Sequence, residues 1–304
     1  MNNKLILLYG KSSNETNGKQ QMLIDEQATC GYREYAQKFG CIIYLTPVKI
    51  RKEWEYSMNL DQALKFISER PDDIVWSVKY DPTRDEKILS KIKNKKMYYS
   101  CNSKNLYNSY CDISLVDTEQ RMGKNSKLYV KGKDPDIWFP DEGVKEFDYL
   151  LMGKRGDKNE LYFLQKLNSI KDRRRILWIG GKKFKGKIKT NHEVIYTSFC
   201  GPTDVRKNIS KAKVGILFTE HPAEGFPQSF LEMTMCGVPV VYNKHAPRNK
   251  HYFHPENSLL VSKDNLVNGA EELLKTYNSE KCRNVAIENY SLSKSYERMI
   301  SCIK

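Results

Sequence analysis

Residues 214–243 read VGILFTEHPAEGFPQSFLEMTMCGVPVVYN. VGILFTE and PVVYN are short apolar, β-branched runs that predict strands. Between them a loop, HPAEGFP, leads into a stretch that predicts a helix over 227–236. Strand, helix, strand is the unit of a parallel sheet, because parallel neighbours need a crossover that returns the chain to the same end.

The alternation extends in both directions. Upstream, KLILLYG (4–10), CIIYLTP (41–47), DIVWSV (73–78), KMYYSC (96–101) and DISLVD (112–117) predict strands, with helices over 19–39, 60–70 and 83–95. KGKDPDIWFPDEGVKE (131–146) interrupts the pattern with two prolines and reads as a boundary. Then FDYLLMG (147–153), RILWIGG (175–181) and VIYTSFC (194–200) predict strands, and 158–170 and 203–212 helices. Two more helices are expected, at 264–278 and 280–303. Two successive α/β units imply two doubly wound domains. The expected organisation is 1–140, 141–285 and a C-terminal helix, 286–304, that packs back on the first domain.

Composition sets the class. A chain of 304 residues holds two medium cores. Its apolar runs are far shorter than a membrane span, and the six-residue run at the start is too short for a signal-peptide core. Eight scattered cysteines form no CxxC pair and have no histidine at zinc-ligand spacing, which fits a reducing compartment, the cytoplasm of a bacterial or virus-infected cell. The net charge of +14 is local: residues 1–150 carry 24 basic and 22 acidic groups, 151–213 carry 17 and 5, and 214–304 carry 10 and 10. Such a concentration argues for an anionic partner.

The loop and helix start of 220–236 carry chemistry. A helix N-terminus presents unpaired N–H groups and partial positive charge, a ready site for a diphosphate. Pro227 at the first helical position is pre-organised for it, and Gly225 lets a ligand approach the backbone. Glu224 stands in the loop and Glu232 stands eight residues later on the helix.

The whole string EGFPQSFLEMTMCGVPVV resembles the donor-site signature of retaining GT-B glycosyltransferases of the family 4 type: Glu, seven residues, Glu, then a small-residue helix ending in C-G-x-P-V-V. The resemblance implies two Rossmann-like domains facing a central cleft. It implies that Glu224, Gly225, Phe226, Pro227 and Gln228 face the donor sugar and pyrophosphate, and that Glu232 holds the ribose hydroxyls. DYLLMGKRGDKNELYFLQKL (148–167) is similar to the first donor-domain strand and its G-R…K loop, so Lys158 and either Lys154 or Arg155 would neutralise the departing diphosphate. FCGPTD (199–204) matches the loop beside the base, which implicates Phe199 and Gly201. VKGKDPDIWFP (130–140) resembles an interdomain N-G-V-D-x-x-x-F-x-P segment, with Lys131 in place of Asn, and ENSLLVSKDN (256–265) resembles the turn before the penultimate helix. The first loop, GKSSNETNGK (10–19), lacks the family's paired glycines and leaves Gly18 for that part.

The implied reaction is glycosyl transfer with retention, using a nucleotide-sugar, a UDP-hexose, as co-substrate and no cofactor. DPD (134–136) and PDD (71–73) lie in connecting segments, so a metal-independent reaction is expected. His221, His251 and His254 lie near the donor loop in sequence. For the acceptor, RRR (173–175) and KKFKGKIK (182–189) place eight cations within 17 residues. Arg173, Arg174, Lys182, Lys183, Lys185 and Lys187, read as a basic hairpin interleaved with Phe184 and Ile188, are candidates to contact a polyanion. DNA bearing a hydroxylated base fits. A surface polysaccharide or lipid-linked glycan at an anionic membrane stays open, as does a non-catalytic GT-B protein that binds nucleic acid or sugar.

Overall fold

The computed structural model describes residues 4–9, 31–45, 50, 52–78, 82–100, 110–119, 122–153, 156, 159–198, 201–220, 227–246 and 250–303. The chain divides into two units, Met1–Lys131 together with Ser295–Lys304, and Gly132–Lys294.

The first unit is a parallel sheet of β1 (Leu5–Tyr9), β2 (Gly40–Tyr44), β3 (Glu55–Ser57), β4 (Ile74–Val78), β5 (Lys96–Ser100), β6 (Ile113–Val116) and β7 (Ser126–Leu128). Its strand order is β3-β2-β1-β4-β5-β6-β7. β1 is central and buried throughout, which is why it reads as a continuous apolar run rather than an alternating one. Ile6, Leu8, Val75 and Tyr98 line one face with Ala63 and Ile67 of α2 (Leu60–Ser68) and Ile88 and Leu89 of α3 (Pro82–Leu89). Tyr32 and Tyr35 of α1 (Tyr32–Phe39) meet Trp76 edge-on, and the Tyr35, Tyr129 and Ser295 hydroxyls form a buried triangle at 2.5–3.1 Å. Ser295 comes from the end of the chain, where Tyr296 also stacks on Phe39 at 3.9 Å between ring centres.

The second unit repeats the plan. Its strands are β8 (Phe147–Met152), β9 (Arg175–Ile179), β10 (Glu193–Thr197), β11 (Ala212–Leu217), β12 (Val240–Asn243) and β13 (Ser258–Val261). They are parallel, in the order β10-β9-β8-β11-β12-β13. Tyr149, Leu151, Trp178, Val214 and Ile216 pack on α4 (Glu160–Leu167) and α7 (Leu266–Thr276). α5 (Pro202–Ser210) and α6 (Gln228–Met235) contact β9 and β12, and α6 lies against α8 (Ser279–Tyr290). In each sheet the order reverses once, between β1 and β4 and between β8 and β11. That is the Rossmann arrangement, and ligands bind at such a switch point beyond the carboxyl ends of the strands. The fold is thus the expected pair of Rossmann-like domains of the GT-B kind.

Four local readings need correction. β3 and β7 are strands of three residues, too short to show an alternating pattern. Ser258–Val261, read as part of a turn, is β13. The stretch 280–303 is two helices, α8 and α9 (Leu292–Ser301), broken at Ser291. There the backbone of Lys133 inserts: its N–H donates to Tyr290 O at 3.1 Å and its carbonyl accepts from Leu292 N at 2.8 Å. Finally, the basic stretch is no hairpin. Lys182–Phe184 is a single 3-10 turn, because Phe184 is drawn inward to stack on Trp178, with ring centres 4.9 Å apart.

Candidate functional site

The switch point of the second sheet lies between β8 and β11, and the connections leaving those strands run through 153–159 and 218–227. These are the segments on which the sequence places the donor-site residues. Lys154, Arg155, Lys158, Phe199, His221, Glu224, Gly225, Phe226 and Gly18 lie outside the described residues. Pro227, Gln228, Glu232 and Gly201 lie within them, and so does the framework around all these segments.

The first connection is shaped by close packing. Trp178 Nε1 donates to Gly153 O at 3.1 Å. A Cβ on Gly153 would lie 2.2 Å from Oε1 of the fully buried Glu160, so any larger residue there would have to displace that carboxyl. Gly156 has φ +77, and a Cβ there would lie 2.9 Å from the edge of Phe184. The aromatic ring of the Lys-rich turn therefore forms a wall of this connection. Asn159 closes it in the left-handed region, φ 57 and ψ 25. Its Nδ2 donates to Phe218 O at 3.0 Å and to Glu220 Oε2 at 2.9 Å, across the switch point.

The second connection ends at α6. Pro227 is the cap residue in extended conformation rather than the first helical residue, and among the described residues no side chain caps the helix. Two buried side-chain atoms in its first turn, Gln228 Oε1 and Ser229 Oγ, have no hydrogen-bond partner among the described residues. A buried polar atom without a partner is costly, and a bound molecule is one way to satisfy it. The sequence singled out Gln228 but not Ser229, whose single hydroxyl carries no pattern. One turn on, Glu232 is 4 % exposed and its Oε1 accepts from Lys133 Nζ at 3.0 Å. Lys133 is fully buried and its ammonium also lies 4.8 Å from the centre of the Trp138 ring. Lys133 was invisible to sequence reading, since one lysine in a charged connecting segment carries no signal of burial.

Gly201 caps α5, whose first residue is Pro202, and a Cβ there would meet nothing within 4 Å. His251 and His254 build the turn between β12 and β13, where His254 N donates to Asn257 Oδ1 at 3.1 Å. Among the described residues no cluster of three or more His, Cys, Asp or Glu is placed to hold a metal ion.

The basic candidates separate into two kinds. Lys182, Lys183, Lys185, Lys187 and Arg173 are exposed. Arg174 is already committed: its guanidinium makes a two-pronged pair with Glu271, Nε to Oε1 at 2.9 Å and an Nη to Oε2 at 2.6 Å. Tyr149 OH donates to the same carboxylate at 2.7 Å.

Comparison with known proteins agrees with this geometry. Residues 148–279 match the family model of the Glycosyl transferases group 1. No sequence among the curated proteins matches the chain. Among solved structures, an alpha-glucosyltransferase in complex with UDP-glucose and DNA containing an abasic site is 11 % identical, with a TM-score of 0.67 over 100 % of both chains. A glycosyltransferase from Rickettsia africae ESF-5 is 14 % identical, with a TM-score of 0.66 over 100 % of this chain and 98 % of that one. Anabaena Alr3699/HepE in complex with UDP-glucose is 12 % identical, with a TM-score of 0.63 over 98 % of each chain. The matched stretch lies within the second unit, which thus carries a group 1 glycosyl transferase domain.

Proposed function

We propose that this chain is a glycosyltransferase that moves a hexose from a UDP-hexose, with retained anomeric configuration, to a hydroxyl of a modified base in DNA. The observation that carries the donor half is the start of α6 at the switch point: a helix end without a capping side chain, beside two buried polar atoms without partners, Gln228 Oε1 and Ser229 Oγ, among the described residues. Amides and positive dipole there suit a diphosphate. Glu232, held by Lys133 through one oxygen, offers the other to ribose hydroxyls. In this reading Glu224, Gly225 and Phe226 meet the sugar, and Gly201 with Phe199 borders the base. Lys158, with Lys154 or Arg155, faces the diphosphate. As the glycosidic bond breaks, charge gathers on the leaving phosphate, and fixed cations and amides bind that state more tightly than the intact donor.

The acceptor half is supported by the Lys-rich turn. Phe184, within that turn, is also a wall of the 153–159 connection. A polyanion held by Lys182, Lys183, Lys185 and Lys187 is thus brought beside the segment assigned to the diphosphate. A solved neighbour of the same fold holds UDP-glucose together with DNA. The test is sugar transfer to hydroxymethylated duplex DNA with UDP-glucose, alongside DNA binding as a function of salt. Transfer abolished by Glu224→Ala is expected, with affinity falling steeply with salt and the log–log slope reduced by about 0.9 for each lysine removed. Transfer only to soluble glycans overturns the acceptor half; failure to bind UDP overturns the donor half.

A further inference from the structure

We propose that Asn159, Glu220 and Lys263 form a latch across the switch point that fixes the spacing of its two connections, and that they are positioning residues for sugar transfer. This rests on the donor-site reading above. Asn159 follows Lys158 directly, and Glu220 stands four residues before Glu224. They leave neighbouring strands, β8 and β11, and so lie on opposite sides of the crevice that the reversal of strand order creates. The Asn159 amide closes that gap with two bonds, to Phe218 O at 3.0 Å and Glu220 Oε2 at 2.9 Å. The same Glu220 oxygen accepts from Lys263 Nζ at 2.7 Å, and Lys263 lies in the turn that follows β13. Three connections are therefore joined at one carboxylate oxygen.

Stability does not explain the arrangement. The Lys263 and Glu220 side chains are 39 % and 47 % exposed, and an exposed pair of this kind contributes little to folding. Asn159 meanwhile occupies the left-handed region, a turn conformation that asparagine adopts more readily than other side chains. A turn asparagine that spends both side-chain bonds across the switch point, beside an exposed ion pair that adds little stability, is the pattern of a part kept for placement. Reacting groups misplaced by about 1 Å lose on the order of 100-fold in rate.

The test uses the full chain with three variants. Asn159→Gly keeps the left-handed backbone and removes the amide, Glu220→Gln keeps the shape and removes the charge, and Lys263→Met removes the third tie. In each, the melting temperature is expected to move by less than about 3 °C, because an exposed pair adds little to stability. UDP release from UDP-glucose is expected to fall about 10- to 100-fold in kcat, with KM for UDP-glucose within about threefold. Amide exchange in peptides spanning 214–230 should quicken in Asn159→Gly, although that substitution lies on the other connection. Unchanged exchange, unchanged kcat, or a loss confined to KM overturns the latch. Glu224→Gln and Lys158→Ala separate the two claims: if these leave turnover at the wild-type level, the donor-site reading fails, whatever the latch variants do.

Discussion

At the scale of single residues, the Lys133–Glu232 pair is the most exacting contact of the second unit. A buried charge is tolerated only when paired, and removing one partner leaves the other stranded at a cost of about 3–5 kcal/mol. Lys133→Met is expected to lower stability by that amount, measured by urea unfolding, and Lys133→Met with Glu232→Gln to recover most of it. UDP affinity is not expected to return in the double variant, because the carboxylate assigned to ribose is gone. Ser229 makes the opposite prediction. Its hydroxyl is buried without a partner among the described residues, so Ser229→Ala should leave stability within about 0.5 kcal/mol of wild type. If a donor phosphate or sugar satisfies that hydroxyl, UDP-glucose affinity measured by calorimetry falls about 5- to 10-fold; unchanged affinity removes Ser229 from the site.

Elements of the second unit are tied by polar contacts as well as by the core. α7 is fastened to β8 and to the segment before β9 by Glu271, which takes Arg174 and Tyr149 together. The Arg174 hydrogen bonds hold the Glu271 carboxyl below its ordinary value of 4.5. A carboxyl lowered in the folded state stabilises above its unfolded value, and that contribution is lost as pH falls through the folded one. Wild type should therefore lose stability below about pH 4.5 more steeply than Glu271→Gln, in melting temperatures recorded from pH 6 to pH 3. Equal slopes would show the pair to be idle. The same contact explains why a run of three arginines is not one surface: Arg174 is folded into the helix attachment, while Arg173 is exposed.

On the whole-molecule scale, the chain ends by returning to the unit it began with. Met299 is fully buried there, Tyr296 stacks on Phe39, and Ser295 completes the hydroxyl triangle with Tyr35 and Tyr129. Deleting residues 295–304 is expected to open the first unit and spare the second. Limited proteolysis should then cut within 1–131 and leave 132–294 protected, with UDP binding retained. Uniform loss of protection would contradict the division into two units.

Much of this was legible in the amino-acid sequence, for a physical reason. A strand buried on both faces must be apolar along its whole length, so β1, β8, β11 and β12 announced themselves, and the helices between them followed from their crossovers. The Glu224–Val241 string likewise announced the helix α6 and the strand β12 that follows it, because a crossover between parallel strands needs that sequence of elements. Tertiary structure alone decided what depends on neighbours distant in sequence. It placed the Lys133 backbone against α8 and so ended a helix that no proline or glycine marks. It buried the Lys133 ammonium against Glu232, withdrew Arg174 from the surface, and turned Phe184 inward to wall the 153–159 connection. Local sequence sets periodicity and turn chemistry; which lone charge is buried, and by whom it is met, is settled only when the two ends of a contact are brought together.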